Sequence, residues 1–239
     1  MVCNLQQLIK EKQFCHYHQT IHSIHHSKHL GSEFLLRSSH GNPEEIFSIA
    51  KKEQRLFDLD TLSIQQALHS IYTTDFFKKA GLLFINIFPS TILHPQFPAF
   101  LKKIASYFPN SFQHVVFELN ESEMMDDLDG LIERIYFIKS YGYKVAIDDV
   151  GKGWSSLNLI VEYPPEFMKL DRIFASNLAT SERKQTMVRS LLDFCNKNEI
   201  QLILEGIETK KDLEIAKQIG IQWCQGYHLS RPTAFQNEC

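Results

Sequence analysis

The sequence predicts an α/β fold, in which about eight mostly parallel strands close into one (β/α)8 barrel. Apolar residues make up 44% of the 239 residues, which is enough for a substantial core. From Leu82 onward the predicted strands and helices alternate strictly, as in a barrel of this type. A doubly wound open sheet is the alternative. No internal repeat or low-complexity linker divides the chain, so residues 1–239 are interpreted as one domain, with a core at about 15–232 and no separate sensor module.

The predicted strands are short apolar runs bounded by turn residues. They lie at 15–21, 30–37, 82–88, 114–119, 145–149, 167–170, 200–205 and 221–225. Helices are predicted where apolar residues recur every three or four positions, as in the stripe from Leu128 to Ile138. Asn42 and Pro43 have the residue types of an N-cap and a first helical position. The other predicted helices cover 56–72, 96–107, 182–196 and 212–219, and one begins near 155.

Charge and cysteine usage exclude several classes of protein. A formal net charge of -3 provides no broad basic surface for DNA. The five cysteines form no CxxC pair, which favours reduced thiols over a disulfide framework or a zinc site. The start lacks an apolar signal core, and no apolar run approaches the roughly 20 residues that span a bilayer. The sequence therefore predicts a cytoplasmic protein without a membrane anchor.

Polar side chains occur at or near the end of seven of the eight predicted strands. They are Glu33, Asn86, Glu118, Asp148 with Asp149, Lys169, Glu205 and Gln225. Because active sites of such barrels lie at the carboxyl ends of the strands, these side chains are expected to meet at one mouth. Taken alone, the stretch around Asp148 and Asp149 is also compatible with a solvated acidic turn.

The composition of this set predicts a metal site. Carboxylate and amide oxygens favour Mg²⁺ or Mn²⁺, and so many acids favour two ions over one. Two such ions suit phosphoester hydrolysis, with Lys169 as a fixed positive charge and Arg37 as a phosphate ligand. An ordinary ion pair for Lys169 and a rim salt bridge for Arg37 are the alternatives. The histidines between His22 and His29 are interpreted as surface residues, because no other ligand completes a set.

Seven segments in this order resemble the EAL-domain phosphodiesterases of bacterial cyclic di-GMP signalling. The resemblance covers the chain from about Gln19 to Pro232. The matching segments are Glu33-Phe34-Leu35-Leu36-Arg37, Asn86, Glu118-Leu119-Asn120-Glu121, Asp148 to Leu157, Lys169-Leu170-Asp171, Leu204 to Thr209, and Gln225-Gly226-Tyr227 with Arg231-Pro232. The resemblance implies a modified TIM (β/α)8 barrel whose first strand is antiparallel to the others. It also implies hydrolysis of cyclic di-GMP to linear pGpG.

The resemblance further implies roles for individual residues. One metal would be held by Glu33, Asn86, Glu118 and Asp148. The second would be held by Asp148, Asp149 and Glu205, although Glu205 is alternatively the general base. Lys169 would hold the nucleophilic water. Contacts to the dinucleotide would come from Gln19, Leu35, Arg37 and Gln225. Support for the loop and the site would come from Glu121, Asp171 and Glu208. Homodimerisation is also implied, through helices that flank the metal loop.

Three residues depart from the family pattern. Phe34 stands in place of a small Ala, Val150 in place of Phe, and Lys152 in place of a small residue that is often Thr. Lys152 is expected to pair with Glu121 or another acid, or to point into water. Phe34 affects the packing beside Glu33, and Val150 and Lys152 affect the loop, but no matched ligand is lost. Two alternatives to an active phosphodiesterase therefore stay open. One is a catalytically weak receptor that binds cyclic di-GMP and acts through a protein partner, and the other is a barrel acting on a different phosphoester.

Overall fold

The computed structural model describes residues 4–26, 28–74, 76, 81–120, 127–152 and 155–235, with backbone alone at 155–157. Within these residues eight strands close into a barrel with helices outside it, which confirms the predicted fold class. The strands are β1 (Cys15–Ser23), β2 (His29–Arg37), β3 (Leu82–Ile87), β4 (Val115–Asn120), β5 (Lys144–Val150), β6 (Phe167–Leu170), β7 (Gln201–Leu204) and β8 (Trp223–Cys224).

The barrel closes through its first strand. Strands β2 to β8 are parallel, and each pairs with the next strand along the chain. Strand β1 pairs antiparallel with β2 on one side and with β8 on the other. The antiparallel first strand that the family resemblance implied is therefore present, and the open-sheet alternative is wrong.

A layer of apolar side chains fills the barrel below the polar residues. It is formed by Ile21, Phe84, Val116, Ala146, Phe167 and Ile203. In the parallel strands each member precedes a polar site residue by two positions, as Phe84 precedes Asn86 and Phe167 precedes Lys169. Because side chains return to the same face of a strand every second residue, the polar groups lie one layer nearer the carboxyl end. In the reversed strand β1, Ile21 correspondingly follows Gln19 by two.

Helices pack on the outside of the barrel, mostly where the sequence predicts them. They are α1 (Leu5–Glu11), α2 (Pro43–Lys52), α3 (Leu56–Thr73), α4 (Pro89–Leu93), α5 (Phe97–Tyr107), α6 (Leu128–Ser140), α7 (Ser155–Glu162), α8 (Arg172–Ala175), α9 (Glu182–Lys197) and α10 (Lys210–Ile219). Asn42 caps α2, because its side-chain oxygen accepts a hydrogen bond from the Glu45 amide at 2.8 Å. No helix among the described residues is long and apolar enough to cross a bilayer.

Three local features differ from the sequence expectations. Pro89 ends β3 as predicted but also begins the short helix α4. The segment after Pro232, which lies beyond the expected core of about 15–232, forms a further strand, β9 (Thr233–Ala234), on the edge of β1. Cys195 and Cys224 are free and buried, as expected, whereas Cys15 is disulfide-bonded. The expectation of reduced thiols is thus wrong for Cys15.

Candidate metal and phosphodiester site

The ammonium group of Lys169 lies at the centre of the barrel mouth, surrounded by four carboxylates. Its Nζ is 2.7 Å from Glu118 Oε1 and 2.8 Å from Glu205 Oε1. It is 3.1 Å from Asp148 Oδ1 and 3.2 Å from Glu33 Oε2. The Lys169 side chain is completely buried. Strands β2, β4, β5, β6 and β7 thus bring five sequence-predicted site residues together.

Burial and mutual repulsion raise the pKa values of most of these carboxyl groups. Burial, only partly offset by Lys169, raises the pKa of Glu205 to about 8 and that of Asp148 to about 6. The same causes raise the pKa of Glu118. Burial also opposes ionisation of Glu33, but Lys169 and hydrogen bonds outweigh it, and the pKa of Glu33 is lowered. One ammonium group is therefore not enough to balance the four carboxylates.

Amide side chains complete the ring around Glu33. Gln225 donates from Nε2 to Glu33 Oε2 at 2.8 Å and to Gln19 Oε1 at 3.0 Å. Gln19 in turn donates to the Ser230 carbonyl oxygen at 2.9 Å. Asn86 Nδ2 lies 3.3 Å from Glu33 Oε1 and 3.4 Å from Glu118. A half-turn of the Asn86 amide exchanges Nδ2 for Oδ1, which is the atom that ligates a cation.

A break in strand pairing brings both aspartates of β5 to the mouth. Neighbouring side chains of a regular strand point to opposite faces. The pairing between β5 and β6 shifts register between Ile147 and Val150, and Asp149 has a left-handed backbone with a φ of 57°. Such irregularities re-aim side chains next to functional sites. As a result, ligand atoms of Asp148, Asp149 and Glu205 lie within 4.8 Å of one another.

Two overlapping sets of carboxylates could hold divalent ions. The first consists of Glu33, Glu118 and Asp148, and the second of Asp148, Asp149 and Glu205. Asp148 belongs to both sets, so it could bridge two ions. Among the described residues, the buried oxygens Glu118 Oε1 and Asp148 Oδ1 have Lys169 Nζ as their partner, at 2.7 Å and 3.1 Å. This donor set consists of oxygens only, as Mg²⁺ and Mn²⁺ prefer.

Comparison with known proteins establishes the family. The family model described as EAL domain matches residues 2–232. The chain belongs to the EAL domain family. It is 24% identical over 241 residues to the cyclic di-GMP phosphodiesterase PdeB of Shewanella oneidensis, and 26% identical over 231 residues to the cyclic di-GMP phosphodiesterase PdeA of Borreliella burgdorferi. These matches cover 98% and 94% of this chain, but 28% and 34% of the two relatives, so the chain spans about a third of their length.

Solved EAL structures share the fold. The EAL enzyme Bd1971, in its form with cAMP and cyclic di-GMP bound, superposes with a TM-score of 0.86 at 26% identity over 97% of this chain and 65% of that one. Klebsiella pneumoniae BlrP1, in a calcium and cyclic di-GMP complex, superposes with a TM-score of 0.85 at 26% identity over 94% of this chain and 57% of that one. A manganese complex of BlrP1 also matches, at 27% identity.

Further predicted residues of this EAL domain line a cavity of about 880 Å³ at the mouth. Leu35, Arg37 and Glu208 line it together with Gln19 and the carboxylates. Arg37 stacks over the Tyr17 ring and donates to the Leu36 carbonyl oxygen at 2.7 Å. Within the described part of the chain it forms no ion pair, so the alternative of a rim salt bridge is not found there. Glu121 lies outside the described residues.

Asn120 is a site residue that the sequence reasoning missed. It ends β4, and its Nδ2 donates to Asp149 Oδ2 at 3.0 Å. Asn120 follows Glu118 by two positions, and a polar residue at that spacing projects to the same side of the strand. The two-residue period of the strand could therefore have identified Asn120 as a site residue. The pairing of Asn120 with Asp149 depends instead on the irregularity in β5.

Of the three departures from the EAL pattern, only Lys152 contacts a carboxylate of the proposed metal site. Phe34 is buried on the outer face of β2, where its ring lies 5.6 Å from that of Phe235 and 6.1 Å from that of Phe76. Val150 is buried in the outer core. Lys152 pairs with Asp149 at 2.7 Å and with Asp171 at 3.2 Å, so the expected pairing with an acid is found.

Proposed function

We propose that this EAL domain is a metal-dependent phosphodiesterase that hydrolyses cyclic di-GMP to linear pGpG. The observation that carries the proposal is the convergence of Glu33, Glu118, Asp148 and Glu205 on Lys169 at a single barrel mouth. The names of the relatives PdeB and PdeA, and the cyclic di-GMP complexes among the structural neighbours, support the choice of substrate.

The donor set fits two ions of Mg²⁺ or Mn²⁺. One would be held by Glu33, Asn86, Glu118 and Asp148. The other would be held by Asp148, Asp149 and Glu205. When bound, such ions polarise a phosphoryl oxygen and lower the pKa of a water molecule.

The chain's own groups then act on the water and the phosphate. Lys169 Nζ donates to the oxygen of the attacking water and offsets negative charge as it develops on the phosphorane oxygens. We assign to Glu205, whose carboxylate contacts Lys169 and lines the cavity, the role of accepting the proton of that water if it does not act as a ligand. Burial alone would lower the pKa of Lys169, but the four carboxylates outweigh it and raise that pKa. The ammonium group therefore stays charged.

The cavity supplies the contacts to the dinucleotide. Arg37 can bind a phosphate through two parallel hydrogen bonds. Gln19 and Gln225 present amide groups, and Leu35 offers an apolar contact. The volume of about 880 Å³ lies within the range typical of small-molecule sites. Around this cavity, Asp171 supports the loop through Lys152, while Glu121 and Glu208 are proposed to support the site from its edge.

Turnover of cyclic di-GMP by the purified chain tests this proposal. With Mg²⁺ or Mn²⁺ we expect pGpG as the product, and Glu205→Gln should reduce the rate at least about 100-fold. Glu214→Gln, on the exposed side of α10, is the matched control and should leave the rate unchanged. Absence of pGpG with either metal would contradict the proposal, and a panel of other phosphodiesters would then identify a different substrate.

A cyclic di-GMP receptor with little turnover is the second candidate. The contact of Lys152 with Asp149 favours it, because that contact engages a proposed ligand of the second ion. Calorimetry that detects binding of cyclic di-GMP without hydrolysis would support the receptor. Such a protein would act through a signalling partner.

We further propose that the chain forms a homodimer, which light scattering tests, and that it is located in the cytoplasm.

A further inference from the structure

Lys152 lies on the loop that follows β5, within reach of the proposed second ion site. Gly151 precedes it with a φ of 111°, and the Lys152 amide donates to the Asp149 carbonyl oxygen at 3.1 Å. This turn folds the lysine back toward the aspartate three positions earlier. Its Nζ reaches Asp149 Oδ1 at 2.7 Å and Asp171 Oδ2 at 3.2 Å.

Both carboxylate oxygens of Asp149 are therefore engaged. Oδ1 pairs with Lys152, and Oδ2 accepts the hydrogen bond from Asn120. Asp149 is also one of three residues whose ligand atoms lie within 4.8 Å of one another, with Asp148 and Glu205. A divalent ion that uses Asp149 Oδ1 competes with the ammonium group, since the two cations share that oxygen and repel each other.

The position of Lys152 allows such displacement. Its side chain is 56% exposed, whereas Lys169 is completely buried. Exposed ion pairs are weak because water solvates the separated charges. Asp171, which also caps α8 through the Ile173 amide, remains as a second partner when Asp149 is taken. The ammonium group thus has two alternative arrangements at the same loop.

We propose that Lys152 is a tethered cation that competes with the second divalent ion for Asp149 and weakens the binding of that ion. This inference rests on the proposed two-ion site. Lys152 acts through Asp149 and does not touch the substrate, so it is a positioning residue. Because of Lys152, the second site fills only at concentrations of free metal at which the first site is already filled.

Titration of the nucleotide-free protein with Mn²⁺, followed by electron paramagnetic resonance, measures both affinities and the number of bound ions. Lys152→Met keeps the length of the side chain and removes its charge. We expect the weaker site to bind roughly two- to fivefold more tightly in this variant, which corresponds to the loss of one exposed ion pair. The tighter site should change little, because in the described part of the chain Lys152 forms ion pairs with Asp149 and Asp171 and with no proposed ligand of that site.

Two further variants separate competition from a general effect. Lys152→Arg retains the positive charge and should keep the weak second site. Lys197→Met removes an exposed lysine that pairs with Asp193 at 2.7 Å at the end of α9, and should change neither affinity. Unchanged affinity in Lys152→Met, an equal change in Lys197→Met, or one bound ion in every variant would overturn the proposal. Because no nucleotide is present, failure of the proposed hydrolysis would not affect this result.

Discussion

At the scale of single residues, Lys169 determines the electrostatics of the site. Four carboxylates lie within 3.2 Å of its ammonium group. Those of Glu33, Glu118 and Asp148 are buried, whereas that of Glu205 is partly exposed to the cavity. The arrangement differs from the ordinary ion pair that was the alternative for Lys169, because one positive charge faces four negative charges. Such a cluster is stable only when the ammonium group, protons or added cations balance its charge.

Removing the ammonium group should destabilise the metal-free protein. In Lys169→Met the buried carboxylates lose their common partner, and we expect the free energy of unfolding to fall by about 3 kcal/mol or more in EDTA. Added Mn²⁺ should recover much of this loss, while turnover should stay at least about 100-fold lower. Urea denaturation with and without Mn²⁺ measures the effect. Stability equal to the unaltered protein in EDTA would contradict the role assigned to Lys169.

His16 provides a separate prediction about pH. It is buried beside the Ser63 hydroxyl at 3.0 Å, and burial, together with Arg37, lowers its pKa to about 4. Between pH 6.5 and 4 the unfolded chain binds a proton that the folded chain does not bind, so stability falls as the pH decreases. From pH 7 to pH 5 this should cost about 2 kcal/mol.

The variant His16→Gln isolates this contribution, because carboxyl groups titrate in the same range. Urea denaturation at pH 7 and pH 5 should give a smaller loss of stability for His16→Gln than for the unaltered protein. An equal loss in both proteins would show that His16 does not titrate as described.

At the scale of elements, strand ends were predictable from the sequence and strand irregularities were not. The apolar runs that end in a polar residue identified Asn86, Glu118 and Lys169. This works because the two-residue period of a strand and the location of barrel sites at strand ends can both be recognised in a short stretch of sequence. The inward turn of Asp149 depends on a positive φ and on a register shift against β6, which are tertiary features. The same limit applies to Asn120, whose partner is set by that shift.

The start of α10 ties a helix to the segment that carries Glu205. Asp212 is buried, accepts hydrogen bonds from the Ala179 amide at 2.8 Å and the Thr209 hydroxyl at 2.6 Å, and donates its amide to Thr209. Asp212→Ala should therefore lower the free energy of unfolding by about 2 kcal/mol, because it leaves the Ala179 amide without its acceptor. Glu214→Ala, an exposed position on the same helix, is the control for thermal or urea unfolding. Equal losses in the two variants would contradict this role of Asp212.

At the scale of the whole molecule, barrel closure converts separate strand ends into one site. In β3 to β7 a polar site residue lies two positions after a buried apolar residue, and the reversed order in β1 follows the same rule. The fold class and most of the site residues could be predicted because this rule repeats in these strands. The extra pairing of β9 with β1 was not predictable, because two polar or small residues carry no strand signal of their own.

Metal binding should stabilise the whole barrel, because the ligands come together only in the folded chain. At a Mn²⁺ concentration about 100 times Kd, the stabilisation of about 2.7 kcal/mol should raise Tm by roughly 5–10 °C. Asp148→Asn, which removes the carboxylate common to both proposed ion sites, should reduce this shift strongly. Differential scanning calorimetry measures it, and an equal shift in Asp148→Asn would indicate binding elsewhere.

Anomalous diffraction at the manganese edge, from crystals of the chain grown with Mn²⁺, tests the existence of the metal site most directly. We expect anomalous peaks at the barrel mouth, within bonding distance of the carboxylates of Glu33, Glu118 and Asp148. Crystals that show no such peak, with Lys169 still paired to all four carboxylates, would contradict the metal-dependent site.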